Sequence, residues 1–135
     1  MSNHEQLLRQ LIESMTASGS LRTQPWKDAA AAVPRHGFLR KGFFRVVPGS
    51  SPTAWTPVLE HGDGWLEACY ADESLGTQIA GTIKPTDIRG EIMREPTSSS
   101  TLPSLVLRML EDLQVEPDMN VLEIGTGTAY SAAVL

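Results

Sequence analysis

The stretch "VLEIGTGTAYSAAVL", Val121 to Leu135, decides how the rest of the chain is read. Val121-Leu122-Glu123-Ile124 is a short apolar run of the kind that forms a buried parallel strand. Gly125-Thr126-Gly127-Thr128 is a turn, and the residues from Ala129 onward read as the next helix. A strand ending in Gly-x-Gly brings bare backbone to the carboxyl edge of a sheet, and the following helix offers free N–H groups. The dinucleotide fingerprint requires a third glycine where this chain has Tyr130, and the Gly-Lys-Ser/Thr ending of a Walker loop is missing. Pyrophosphate binding therefore loses support. Taken alone, Gly-x-Gly also fits an ordinary tight turn.

Upstream of this unit, Pro103 opens a helix with Leu105, Val106, Met109, Leu110 and Leu113 on one face. Val115–Asn120 is a polar connection. Further back, Phe43–Val47, Thr56–Leu59 and Trp65–Tyr70 read as short strands, with His61–Gly64 as a hairpin turn. The stretch from Pro85 to Ser100 reads as loop. At the start, Leu7, Leu8, Leu11, Ile12 and Met15 form a helical stripe, with Asn3 as its cap and Gly19 at its end. A second helix spans Pro25–Val33, stopped by Pro34. The fold class is thus α/β: N-terminal helices and a small β section, then the first βα unit of a Rossmann-like sheet. The boundary falls near residues 96–101, giving a region 1–100 and the start of a second, 101–135.

The composition narrows the function classes. The chain has 135 residues, 41% hydrophobic and 20% charged, with net charge −5. This is a globular composition without the clustered cations of a nucleic-acid footprint. The densest basic stretch, Arg35–Lys41, reads as a solvated turn. A single cysteine, Cys69, allows no internal disulfide and reads as a buried packing thiol. His4, His36 and His61 are scattered without acidic partners at ligand spacing, so no metal site is expected. Asp72 and Glu73 read as a solvated strand end, and Trp26, Trp55 and Trp65 as packing residues. No apolar stretch approaches a membrane span, no secretory signal opens the chain, and the expected location is the cytoplasm.

Several segments, in order, resemble the protein-L-isoaspartate O-methyltransferase family. They are "AAAAVPRHGF" (Ala29–Phe38), "YADESLG" (Tyr70–Gly76), "TSSSTLPSLVLRMLEDL" (Thr97–Leu113) and the closing "VLEIGTGTAYSAAVL". The resemblance implies a class I fold and S-adenosylmethionine as cofactor, held at Glu123, Gly125, Thr126, Gly127, Thr128 and Tyr130. Glu123 would balance the ligand's ammonium or sulfonium charge. Thr101 stands at the family's active-site serine, and with Ser100 and Ser99 would orient the acceptor carboxylate. The family's Gly-Gln pair before that position is replaced here by Thr97 and Ser98, and its second glycine-rich position after the turn is Ala129. This divergence looks more like the branch associated with ribosomally made peptides, such as graspetides and lanthipeptides.

The implied reaction is methylation of an isoaspartyl or aspartyl side chain of a protein or peptide, followed by closure to a succinimide or aspartimide. An aspartyl carboxylate, with a pKa near ~3.9, is already an anion at neutral pH and needs no general base. The enzyme's task is to align it with the S–CH₃ bond. Thr101 or a neighbour is also expected to cap the helix at Pro103. In an α/β methyltransferase the acidic ribose-binding residue ends the second strand, roughly 20 residues past the glycine turn. That position would lie beyond Leu135. The chain is therefore expected to be a truncated part of a longer enzyme, inactive alone. The alternative is a non-catalytic module that binds a peptide or partner through residues 1–100.

Overall fold

The computed structural model describes residues 2–135. Helix α1 (Asn3–Ala17) turns Leu8, Leu11 and Met15 inward, as the apolar stripe requires. Its cap is Ser2 rather than Asn3: the Ser2 N–H donates to the Glu5 carboxylate at 2.8 Å, the Ser-x-x-Glu arrangement that satisfies a helix start. Gly19 follows the last turn with φ +78°, which suits a residue without a Cβ. Helix α2 (Gln24–Ala32) carries Pro25 in its first turn and stops before Pro34. A 3-10 turn, Arg35–Phe38, comes next.

Strands β1 (Phe43–Val46) and β2 (Trp55–Val58) form an antiparallel hairpin, Phe43 opposite Val58 and Val46 opposite Trp55. The outer edge of β2 is engaged by Ile92, which exchanges two backbone hydrogen bonds of 2.9 Å with Trp55. Trp65–Tyr70, expected as a strand, is instead helix α3. Its buried residues include Trp65, Ala68 and Cys69 at i, i+3 and i+4, a helical spacing, with Tyr70 buried beside them. His61–Gly64 accordingly leads into this helix rather than closing a hairpin, with Gly64 at φ +72° before the first turn. Strand β3 (Leu75–Ile79) lies beside β1, and Phe44 packs where a side chain at Gly76 would stand.

After a 3-10 turn at Pro85–Asp87, the polar run Pro96–Ser100 forms strand β4, not loop. Its pairing to β3, with Leu75 opposite Ser100 and Gly76 opposite Ser99, makes a strand of a polar run that has no apolar alternation and opens on a proline. The sheet order is β2-β1-β3-β4, antiparallel throughout. Helix α4 (Pro103–Leu113) buries Val106, Leu107 and Leu110, and α5 (Tyr130–Val134) buries Tyr130 and Val134. These side chains join Leu11, Met15, Phe43, Trp65 and Leu75 in one continuous core. Cys69 sits inside it, where burial pushes the thiol up to about 12 and keeps it a neutral packing group.

Val121–Ile124 forms no strand. Leu122 and Ile124 are 85% and 89% exposed, and no strand among the described residues pairs with them. A parallel strand has no hydrogen-bonded form without a neighbour of the same direction, and the four strands here are committed to one another. No helix of the described residues is long and apolar enough to cross a membrane.

Candidate functional site

The hydroxyl run Thr97–Thr101 is sorted by its pairing. Thr97 Oγ1 donates to Gln78 Oε1 and accepts from the Gly81 N–H, while Ser98 Oγ accepts from Thr77 Oγ1, so these two side chains fasten β4 to β3. Ser100 is buried, its Oγ 3.5 Å from an Arg35 nitrogen. Among the described residues, the Ser99 and Thr101 hydroxyls make no hydrogen bond. They stand two apart along an extended segment and so share a face; Ser99 is exposed and Thr101 half-buried.

The residue that holds this segment was not legible as a site residue. Arg35, read from the sequence as part of a solvated turn, is fully buried. Its guanidinium donates to the carbonyls of Cys69 (3.1 Å), Ala71 (3.2 Å), Glu73 (3.2 Å), Ser100 (3.4 Å) and Thr101 (3.2 Å). Burial lowers its pKa from the usual value, yet a guanidinium stays protonated in proteins. Among the described residues no carboxylate pairs with it, and its Nε has no acceptor. The nearby Glu73 is taken by Arg45 at 2.6 Å. The only sequence signal was the Arg35 position within the "VPR" segment.

Two further residues close the β4–α4 joint. The Leu102 N–H donates to Ser74 Oγ (3.1 Å) and the Ser104 N–H to Asp72 Oδ1 (2.9 Å). The cap of α4 is thus Asp72, reaching across the chain, and not Thr101 or a neighbour. Asp72 has a structural task, which leaves Thr101 unoccupied.

The glycine turn lies alongside. Gly125 and Gly127 have φ +76° and +56°, and Ala129 adopts φ +70°. A side chain added at Gly125 would meet nothing within 4 Å; one at Gly127 would come 4.0 Å from the Ser99 carbonyl oxygen. Residues 28 positions apart in sequence are therefore neighbours in space. Glu123 is anchored from below, one carboxylate oxygen accepting the Ser131 hydroxyl, while the other is buried without a partner. Thr126 is exposed, and its carbonyl accepts the Ala129 N–H at 2.9 Å; Thr128 is half-buried. The ring of Tyr130 points into the core against Phe38, centroids 5.9 Å apart, so only its backbone remains at the turn.

Residues 80–135 match the model of the family described as protein-L-isoaspartate(D-aspartate) O-methyltransferase. A protein-L-isoaspartate O-methyltransferase of Pyrobaculum islandicum is 28% identical over 124 residues, 92% of this chain and 41% of the relative. One from Methanococcus maripaludis is 26% identical over 125 residues, again 41% of its length. The chain is related to this methyltransferase family. A member from Rhodopseudomonas palustris is 42% identical over 55 residues, covering 26% of its own length. The chain thus spans about two fifths of the longer-matching relatives, and the family match takes in both the hydroxyl strand and the glycine turn.

The residues at the turn fit the cofactor of a methyltransferase in part. A buried carboxylate oxygen of Glu123 without a partner suits a hydroxyl or ammonium donor, and two glycines leave their backbone open to close approach. Among the described residues there is no group of His, Cys, Asp and Glu that would hold a metal ion.

Proposed function

We propose that this chain provides the acceptor-binding face and the first cofactor-binding turn of an S-adenosylmethionine-dependent carboxyl O-methyltransferase. Its substrate would be a protein or peptide bearing isoaspartate or aspartate. The observation that carries the reading is the approach of the Ser99 backbone to the Gly127 turn, on the segment that also bears the unengaged Ser99 and Thr101 hydroxyls. In this reading residues 1–100 form the substrate side and residues 101–135 begin the cofactor side.

Bound S-adenosylmethionine would supply an electrophilic methyl group. Glu123, with Gly125, Thr126, Gly127, Thr128 and the Tyr130 backbone, would hold the amino-acid and ribose parts of the cofactor. Thr101 and Ser99 would donate to the acceptor carboxylate. Two donors orient an anion without neutralising it, and no base is required because the carboxylate is already ionised. Ser100, buried, would act from behind by fixing the segment. The methyl ester carries a better leaving group than the carboxylate, so the next backbone nitrogen of the substrate attacks the ester carbonyl, the C–OCH₃ bond breaks, and methanol leaves with the amide proton as the succinimide closes. The altered residues Thr97 and Ser98 favour an aspartate within a ribosomally made precursor over damaged protein, and the cytoplasm is where either substrate would be met.

Mass spectrometry of the full-length enzyme with S-adenosylmethionine and two peptides tests this, one isoaspartyl and one an aspartate-containing precursor. A +14 Da product, or −18 Da after cyclisation, supports the reading and names the substrate. Neither product on any carboxyl-bearing peptide, with no calorimetric binding of S-adenosylmethionine, overturns it in favour of a non-catalytic binding module.

A further inference from the structure

Arg35 is fully buried directly behind the hydroxyl segment, and among the described residues no carboxylate is in ion-pair contact with it, the charges of Asp72 and Glu73 acting on it only from a distance. We propose that Arg35 is a positioning residue for the acceptor carboxylate, acting through the Ser100 and Thr101 peptide groups. The inference rests on the methyltransferase reading above and adds a residue to it.

Peptide planarity does the transmission. Because the Ser100 and Thr101 carbonyls turn inward to the guanidinium, the N–H groups of Thr101 and Leu102 turn the opposite way. The Leu102 N–H is accordingly taken by Ser74, on the side away from the guanidinium. Arg35 thereby sets the donor face, and its charge, screened by protein rather than water, biases that face toward an anion. Carbonyl partners suit this task better than a carboxylate would, since they order the segment without cancelling the charge. The same guanidinium grips Cys69, Ala71 and Glu73, so the end of α3 serves as the fixed frame.

Arg35→Lys keeps the charge but not the planar fork that reaches both sets of carbonyls. It is expected to raise the KM for the peptide about tenfold while kcat and the Kd for S-adenosylmethionine stay within about twofold. Amide exchange at Leu102 should accelerate in step, with Leu11 and Met15 in α1 unchanged. Ser74→Ala loosens the same joint without touching the cation and should move the peptide KM and the Leu102 exchange in the same direction. A purely structural Arg35 would instead lower the amount of active protein, changing apparent kcat and exchange everywhere, with KM constant. That result, or a wild-type KM and exchange pattern in both variants, overturns the proposal. If the Lys variant does not fold, Ser74→Ala decides by the same two readouts. Should the unaltered full-length enzyme transfer no methyl group, it is the methyltransferase reading that fails, while exchange at Leu102 still judges whether Arg35 positions the segment.

Discussion

The two halves of the candidate site are built in opposite ways. The β4–α4 joint, residues 96–104, is clamped from three directions: Arg35 beneath, Ser74 and Asp72 at the side, β3 along its length. The glycine turn, residues 121–129, is held by local bonds, Ala129 to Thr126 and Ser131 to Glu123, and by α5 packing behind it. The β4–α4 joint is thus pre-organised by tertiary structure, and the glycine turn is a loop carried on a short buried helix. Backbone amides should report the contrast directly, with protection at Leu102 and Ser104 exceeding that at residues 122–128 by orders of magnitude. Equal protection in the two regions would break the comparison.

The largest effect is expected from removing the clamp. Arg35→Met leaves five inward carbonyls without a donor. With roughly 1–3 kcal/mol for each unsatisfied buried group, partly relieved by relaxation, the loss should exceed about 3 kcal/mol in urea denaturation. A loss below about 1 kcal/mol would show that water replaces the guanidinium and that the clamp is weak.

Next comes the bond between α4 and α2. Glu111 accepts from the Arg22 N–H (2.6 Å), the Thr23 N–H (2.7 Å) and the Thr23 hydroxyl (3.1 Å), so a carboxylate on one helix caps the start of another. Burial works to raise the pKa of Glu111, and the Thr23 and Arg22 bonds outweigh it, leaving the group below its ordinary value. Glu111→Ala should cost about 2 kcal/mol at neutral pH. The sign of the pH dependence follows from a depressed folded-state pKa. The contribution is fully present above the ordinary carboxylate value near 4.5 and is lost as pH falls through the folded one. The stability gap between wild type and variant should therefore narrow below about pH 4.5; a gap that widens there would reverse the assignment.

Asp72→Ala removes the cap of α4 at Ser104 and should cost about 1 kcal/mol, with the loss visible first as faster exchange at Ser104. The glycine turn should not respond, since the two regions share no hydrogen bond at that residue.

How much of this was legible follows the same division. Local pattern carried α1, α2, the separate strands β1 and β2, and α4, whose apolar spacing or proline placement is a property of a few adjacent residues. The glycine turn was legible too, because Gly-x-Gly acts through its own backbone. What escaped depends on partners far away in sequence: Arg35 reaches residues 34 to 66 positions on, Asp72 caps a helix 32 residues later, and β4 is a strand only because β3 pairs with it. Trp65–Tyr70 was misjudged for a different reason, since a six-residue run gives too few periods to separate strand from helix. Val121–Ile124 fits a strand by composition and is none here, because a strand is a relation between two segments.

The smallest effect tests the loosely held half. Ala129 sits at φ +70°, where an L side chain is strained by roughly 1–2 kcal/mol and glycine is not. Replacing it also adds unfolded-state freedom, which takes back about 0.5–1 kcal/mol. Ala129→Gly should therefore stabilise by about 0.5 kcal/mol, read as slower exchange of the Ala133 amide, which bonds the residue 129 carbonyl. The sign matters more than the size. A gain means that the turn is held in its shape by α5 against a real backbone preference, and that the shape is imposed rather than intrinsic. A loss would mean that the αL conformation at Ala129 relaxes freely in solution, so that the open backbone at Gly125–Gly127 is one state among several and must be selected by whatever binds there.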